Sequence, residues 1–62
     1  MEQKMIEYLQ GIYDCADIAQ DNGWKGVAHN CREEFGHCAD MVEALTGKQV
    51  RIRDNCVTLV EE

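Results

Sequence analysis

Residues 2–45 read EQKMIEYLQGIYDCADIAQDNGWKGVAHNCREEFGHCADMVEAL, and this stretch decides the fold. Its first half carries a stripe of residues at alternating three- and four-residue steps: Glu2, Met5, Leu9, Ile12, Ala16 and Ala19. Its second half carries a stripe with the same stepping: Trp24, Ala28, Cys31, Phe35, Cys38, Val42 and Leu45. That spacing places each stripe on one side of a helix, as in the seam of a coiled coil. We therefore predict two helices, at about residues 2–21 and 24–46.

The segment Asp21-Asn22-Gly23 predicts how the two helices are joined. Asn and Gly tolerate the left-handed conformation that ends a helix, and a short connection makes neighbouring helices antiparallel. In an antiparallel pair, facing residues have numbers with a constant sum, and one sum matches both stripes. It pairs small residues near the turn and larger ones farther away: Ala19 with Ala28, Ala16 with Cys31, Ile12 with Phe35, Leu9 with Cys38, and Met5 with Val42.

The C-terminal part has a different periodicity, which predicts a β-hairpin at about residues 48–60. Val50 and Ile52 alternate with arginines, and Val57 and Leu59 follow after Asp54-Asn55. Asp and Asn adopt the positive φ angles of a two-residue hairpin turn. In that register Ile52 faces Val57 and Val50 faces Leu59, so all four apolar side chains lie on one side of the hairpin. The fold class is therefore a small α+β domain: an antiparallel, coiled-coil-like helical hairpin followed by a two-stranded β-hairpin.

Length and charge limit what this chain can do. Sixty-two residues form a single domain with a core near the lower limit for independent folding, so a partner, metal or disulfide is a common supplement. The net charge is −6, and up to Thr46 nine acidic residues oppose Lys4, Lys25 and Arg32. An acidic helical body disfavours direct nucleic-acid binding and fits either a basic protein partner or a role in solubility alone. No signal peptide or membrane-spanning run is expected, so the predicted location is cytoplasmic, where thiols remain reduced.

The strongest functional signal is apolar helix surface that the seam does not use. Tyr8, Gly11, Cys15 and Ile18 form a second stripe on the first helix, and Val27 and Met41 lie on the matching flank of the second. Gly11 weakens a helix by about 1 kcal/mol relative to Ala, so its place in this stripe predicts either the close approach of another backbone or simple tolerance of a poor helix former.

Two arrangements account for this second stripe. Either the β-hairpin folds over it within one chain, or an identical subunit packs there and makes a four-helix bundle. The hairpin offers only four apolar residues, while the helices expose two flanks. We therefore favour a homodimer through the first helix, in which the β-hairpin covers one part of the apolar surface and the second subunit covers the other.

The cysteines and histidines invite a zinc interpretation, which the spacing disfavours. No pair has the C-x-x-C spacing of a structural site, and on the helical wheel the histidines point away from Cys31 and Cys38. His29, Glu33 and His37 make at most a weak surface site. No nucleophile and acid/base pair share a pocket, so we expect neither an enzyme nor a cofactor or metal site.

Three further residues are candidates for contacting a partner or an anion: Trp24, Arg51 and Arg53. Aromatic residues are overrepresented among binding hot spots, and arginines hold phosphate or acidic groups. The ordinary interpretations carry more weight. A tryptophan at a helix tip caps the core, and arginines on the outer side of a hairpin provide solvation and edge protection.

Taken together, these features predict a small acidic non-enzymatic module that binds a larger protein, as an inhibitor or regulator of the kind that phages and mobile elements encode. The alternative is a module that sequesters a small ligand or metal between subunits or at the arginines of the hairpin. A weaker alternative is a helical bundle that binds structured RNA, which the charge disfavours.

Overall fold

The computed structural model describes residues 1–61 and consists of two helices followed by two strands. Helix α1 spans Glu2–Asp21 and helix α2 spans Lys25–Thr46. Strand β1 spans Gln49–Arg53 and strand β2 spans Cys56–Val60. This order confirms the predicted α+β fold, with helix boundaries within a residue of those that the periodicity indicates.

The two breaks in helical structure occur at the residues that favour them. Gly23 has φ 73° and lies in the connection between the helices, where the amide of Trp24 donates to the carbonyl oxygen of Ala19 at 2.8 Å. Gly47 ends α2 in the left-handed conformation, with φ 71°, and its amide donates to Glu43 O at 2.9 Å. A residue with a Cβ would be strained at either position.

The seam between α1 and α2 contains most of the buried residues. Small residues fill it near the connection, where Ala16, Ala19 and Ala28 are buried. Farther from the connection Leu9 is fully buried and packs with Val42 and Val57. The helices thus meet through the two predicted stripes, and the core continues from the seam to the hairpin.

Leu45 corrects one detail of the predicted seam, because its side chain is 68% exposed. In the predicted register Leu45 lies level with Glu2, where α1 begins. The last turn of α2 therefore has almost no helix opposite it. Leu45 instead lines a surface groove with Met1 and Lys4.

The β-hairpin has the predicted register and turn. Ile52 pairs with Val57 and Val50 with Leu59 in an antiparallel ladder. Asp54 and Asn55 have φ angles of 52° and 63°, as a two-residue turn with both central residues left-handed requires. Of the four apolar side chains, Val57 is buried and Val50 and Leu59 are partly buried against the core, whereas Ile52, near the turn, is 45% exposed.

Side chains of both helices dock the hairpin by pairing with its backbone. The Gln10 amide donates to Asn55 O at 2.9 Å, and its oxygen accepts from the amide of Val57 at 2.7 Å. On the other strand, the Glu43 carboxylate accepts from the amide of Val50 at 2.8 Å. Backbone donors on both strands are thereby satisfied, which also limits edge-to-edge pairing.

Further contacts hold the hairpin at its two ends. At the turn, the Tyr13 hydroxyl donates to Asn55 Oδ1 at 3.0 Å, and the Tyr13 ring lies 6.1 Å from that of Phe35. Where the hairpin begins, Lys48 Nζ lies 2.8 Å from Glu2 Oε1. Donation to Glu2 raises the pKa of Lys48 and outweighs the opposing effect of desolvation. The hairpin is thus fixed to one particular flank of α1.

Candidate functional site

The β-hairpin covers the flank of α1 that carries Ile6, Gln10 and Tyr13, and leaves the opposite side of the helical pair uncovered. Of the two arrangements considered above, the one in which the hairpin folds over Tyr8, Cys15 and Ile18 is therefore wrong. Tyr8, Ile18, Val27 and Met41 are 58, 56, 50 and 64% exposed, and Cys15 is also exposed. The sequence had not indicated which flank the hairpin would take.

We call this uncovered side the open face. It is formed by two stripes with three- and four-residue steps along nearly the whole length of the helices. The α1 stripe consists of Met1, Lys4, Tyr8, Gly11, Cys15 and Ile18, and the α2 stripe of Val27, Cys31, Glu34, Cys38, Met41 and Leu45. Ten of these twelve residues are apolar, cysteine or glycine, and the two charged ones are Lys4 and Glu34.

Two shallow grooves run along the open face between the helices. The first, of about 470 Å³, is lined by Glu7, Tyr8, Gly11, Ile12, Cys15, Cys31 and Glu34. The second, of about 290 Å³, is lined by Met1, Lys4, Met5, Tyr8, Cys38, Met41, Val42 and Leu45. Tyr8 belongs to both and divides them. Both grooves are open troughs, a shape that suits a packed side chain or helix better than an enclosed small molecule.

Tyr8 is held across the face by an interhelical hydrogen bond. Its hydroxyl donates to Glu34 Oε1 at 3.2 Å. Acceptance of that bond by the Glu34 carboxylate, and its negative charge, raise the pKa of the Tyr8 phenol above the usual 10.0, and Cys38 acts in the same direction. The tyrosine ring therefore has a defined position in the middle of the face, which reduces the entropy lost when a partner packs on it.

Gly11 lies beside Tyr8 in the first groove. A Cβ built on Gly11 meets nothing within 4 Å, so the close backbone approach predicted for this position is not made within the chain. Glycine is thus not required by the fold of one chain, although it weakens α1 by about 1 kcal/mol relative to Ala. The space that it leaves is a depression in the open face.

The thiols are distributed over both sides of the molecule. All four cysteines are free, so the pair Cys15 and Cys31 is not oxidised although both line the first groove. Cys31 and Cys38 are only partly buried and reach the open face. Cys56 is exposed on the hairpin.

The other candidate sites from the sequence are not assembled. His29 Nε2 lies 3.1 Å from Glu33 Oε1 on the surface of α2, and within residues 1–61 no group of three or more metal-ligating side chains is placed to hold an ion. Neither described helix has the length and apolar character that crossing a membrane demands.

Trp24, Arg51 and Arg53 are exposed but do not form a common site. Trp24 is 56% exposed, so it does not seal the end of the core. The Arg51 guanidinium donates within the hairpin, to Val50 O at 3.0 Å and to the Gln49 side chain. Neither groove of the open face is lined by any of these residues.

Contacts that sequence reasoning missed are those of Gln10, Glu43 and Lys48, which decide the flank that the hairpin covers. Little in the sequence distinguishes these three residues, because each is an ordinary polar residue on a helix or just after its end. One trace was present: Gln10 lies one helical turn from both Ile6 and Tyr13, the two apolar residues of that flank. Comparison with known proteins adds nothing to these observations, since no family model, curated protein or solved structure matches this chain.

Proposed function

We propose that this chain is a non-enzymatic protein–protein interaction module whose working surface is the open face. The observation that carries the proposal is the exposure of a continuous apolar strip along both helices, in a molecule whose hairpin covers the other flank. Large contiguous apolar patches rimmed by polar residues are typical of protein-interaction sites. Here the polar rim includes Glu7 and the outer acidic residues of the helices.

The shape and composition of the strip indicate the kind of contact. Two parallel rows of side chains with heptad-like steps form the holes that receive residues of another helix. The aromatic ring of Tyr8 and the flexible side chain of Met41 belong to residue types enriched in interfaces. The partner packed on the open face is therefore a polypeptide with a helical apolar face, and the proposed role of the module is to inhibit or regulate a larger protein.

The acidic charge supports selectivity for such a partner. The net charge of −6 is carried by residues 1–46, in which nine acidic residues oppose Lys4, Lys25 and Arg32. Such a charge steers association with partners of opposite sign. A larger protein with a basic surface is therefore the target that this charge favours.

The test compares the polypeptides captured by a variant that alters the open face with those captured by a variant that alters another part of the surface. Wild-type chain, an I18E/M41E variant and an A44E variant are immobilised, and polypeptides bound from a lysate of the source cells, including added tagged chain, are quantified by mass spectrometry. Ala44 is exposed and lines neither groove, so A44E is the matched control.

The expected result is at least one polypeptide that wild type and A44E retain equally and that I18E/M41E loses. Circular dichroism should show the same helical content in all three chains, because the substituted residues are exposed. If no bound polypeptide depends on Ile18 and Met41, the proposal fails.

A further inference from the structure

The open face is self-complementary, and we propose that its occupant is a second copy of this chain, with α1 packed antiparallel on α1 and α2 antiparallel on α2 of that copy. This inference rests on the proposed function and names the partner of the same surface. Three observations support it: the area of the face, the distribution of large and small residues along it, and the positions of its two charges.

The area is sufficient for a stable dimer. The Cα trace measures 35 × 21 × 19 Å and the chain exposes 4510 Å². One broad side of a body with these proportions makes up about a fifth of its surface, or about 900 Å² per chain, and standard stable interfaces bury about 800 Å² per partner.

The shape of the face repeats itself when it is turned end over end. The α1 stripe runs from Met1 to Ile18, so its middle lies near Gln10. A twofold axis at this level, in the plane between the copies and perpendicular to the helices, brings Tyr8 of one copy to within about one residue, or about 1.5 Å along the axis, of Gly11 of the other. The exposed ring then enters the depression that the glycine leaves, twice per dimer, as an isologous interface requires.

The ends of the face complement one another in the same arrangement. Large side chains occupy both ends, with Met1, Met41 and Leu45 at one and Ile18 and Val27 at the other. Glycine and cysteines lie between them. End-over-end pairing places the large residues of one end against those of the other, and leaves the small central layer to the two tyrosines.

The two charges distinguish this arrangement from the alternative four-helix bundle. Lys4 and Glu34 both line the grooves, so both would face the interior of a bundle. If α1 packed instead on α2 of the second copy, the charges would keep their separation within one chain, about nine residues or about 13 Å along the axis, and neither would have a partner of opposite charge. Burial of an unpaired charge is costly.

Turning the second copy end over end removes that cost. Glu34 is level with Tyr13 in the seam register, so in the second copy it arrives near the level of Glu7, about three residues or about 4.5 Å along the axis from Lys4. α1 of one copy and α2 of the other lie diagonally across the bundle, and because both side chains project into its interior, the lysine and the glutamate together span the offset. Each dimer then contains two Lys4–Glu34 pairs between copies, and a polar pair in an apolar seam specifies register.

The first test is sedimentation equilibrium of wild type, K4E, E34K and the K4E/E34K double variant. Wild type is expected to be a dimer, each single reversal to raise the dimer Kd by about tenfold or more, and the double reversal to recover most of that loss. Circular dichroism of each variant confirms that the helices are intact. A dimer in which the double variant is no better than the singles overturns the proposed packing.

The second test uses two of the glycines inside the helices, Gly11 and Gly36. Replacing Gly11 by Leu fills the depression and is expected to raise the dimer Kd by about 100-fold, whereas Gly36→Leu is the control, since Gly36 is exposed and lines neither groove. Both substitutions favour helix formation, so loss of the dimer in G11L cannot result from unfolding. Equal dimer Kd values for G11L and G36L overturn the inference.

Failure of this inference is distinguishable from failure of the proposed function. One outcome is a chain that captures another polypeptide through Ile18 and Met41 but remains monomeric at about 100 or more times the concentration used for capture. This outcome overturns the second copy as the occupant and is consistent with the proposed interaction module. A monomeric chain that captures nothing through these residues overturns both.

Discussion

The two flanks of α1 show how the same helix is used in two ways. On one flank Ile6, Gln10 and Tyr13 lie under the β-hairpin, and the Gln10 side chain forms hydrogen bonds with the hairpin backbone. On the other, Tyr8, Cys15 and Ile18 have similar apolar character and remain exposed. Apolar residues alone therefore do not decide which flank a marginal hairpin covers. The polar residues among them do, because they satisfy strand backbone groups that would otherwise be buried unpaired.

The largest expected difference between the buried seam and the open face is in the free energy of unfolding. Leu9 is fully buried and Tyr8, its neighbour in sequence, is exposed. Leu9→Ala should destabilise the monomer by about 2–5 kcal/mol, enough to unfold much of so small a chain. Tyr8→Ala should cost about 0.5 kcal/mol or less. Urea denaturation at a concentration where the chain is monomeric checks both, and a comparable loss for Tyr8→Ala would show that the open face is packed within one chain.

A smaller loss of stability is expected when the docking of the hairpin on the helices is weakened. Gln10→Ala removes two hydrogen bonds to the hairpin and leaves the amide of Val57 without its acceptor, at a cost of about 1–3 kcal/mol. In the Gln10→Ala variant, the amide hydrogen of Val57 should exchange with solvent faster than the amide hydrogens in the seam of α2. The control is Gln3→Ala, which removes only an exposed contact with Glu7. If Gln10→Ala changes exchange no more than Gln3→Ala, these hydrogen bonds do not hold the hairpin.

Thiol labelling sharpens the comparison between covered and open surfaces. Cys15 lies on the open face and Cys56 on the hairpin, and both are exposed in one chain. If a second copy covers the face, the labelling rate of Cys15 should fall several-fold as protein concentration rises, and that of Cys56 should not. Mass spectrometry of peptides from the labelled wild-type chain follows the rate at each cysteine without altering the open face. A concentration-independent Cys15 rate would argue against a covered face.

The smallest expected effect concerns the contact at the beginning of the hairpin. The carboxylate of Glu2 raises the pKa of Lys48 above its ordinary 10.5. A raised lysine pKa means that the folded state favours the charged amine, so its stabilisation is complete below pH 10.5 and is lost as the pH rises further. Thermal denaturation should therefore show a small advantage of wild type over Lys48→Met at pH 8 that diminishes as the pH rises above 10.5. An advantage that is unchanged at high pH would exclude the ion pair as its source.

Much of the fold is predictable from this sequence because its periodic patterns are local. The three- and four-residue steps, Gly23 and Gly47 specify where the helices lie and end, and Asp54-Asn55 specifies the hairpin register. The docking of the hairpin is not predictable in the same way. It depends on contacts such as Gln10 with Asn55, 45 residues apart, for which no periodicity exists.

The sequence predicts which residues lie together on the open face, but it does not predict that the face is exposed. Tyr8, Gly11, Cys15, Ile18, Val27 and Met41 share one side of the helical pair because helical geometry places them there. Whether that side is covered depends on where the hairpin docks. Leu45 shows the limit of the periodicity itself, since a stripe continues in sequence after the opposite helix has come to its end.

The contact of the Asp54-Asn55 turn with the middle of α1 has a practical consequence for labelling and fusion. An epitope inserted at that turn would separate Tyr13 and Gln10 from Asn55 and lift the strands from the core. The connection at Asn22-Gly23, by contrast, is exposed and makes only short-range backbone contacts. Exposed connections of this kind tolerate added sequence, so a reporter peptide placed there leaves both the strands and the grooves accessible to experiment.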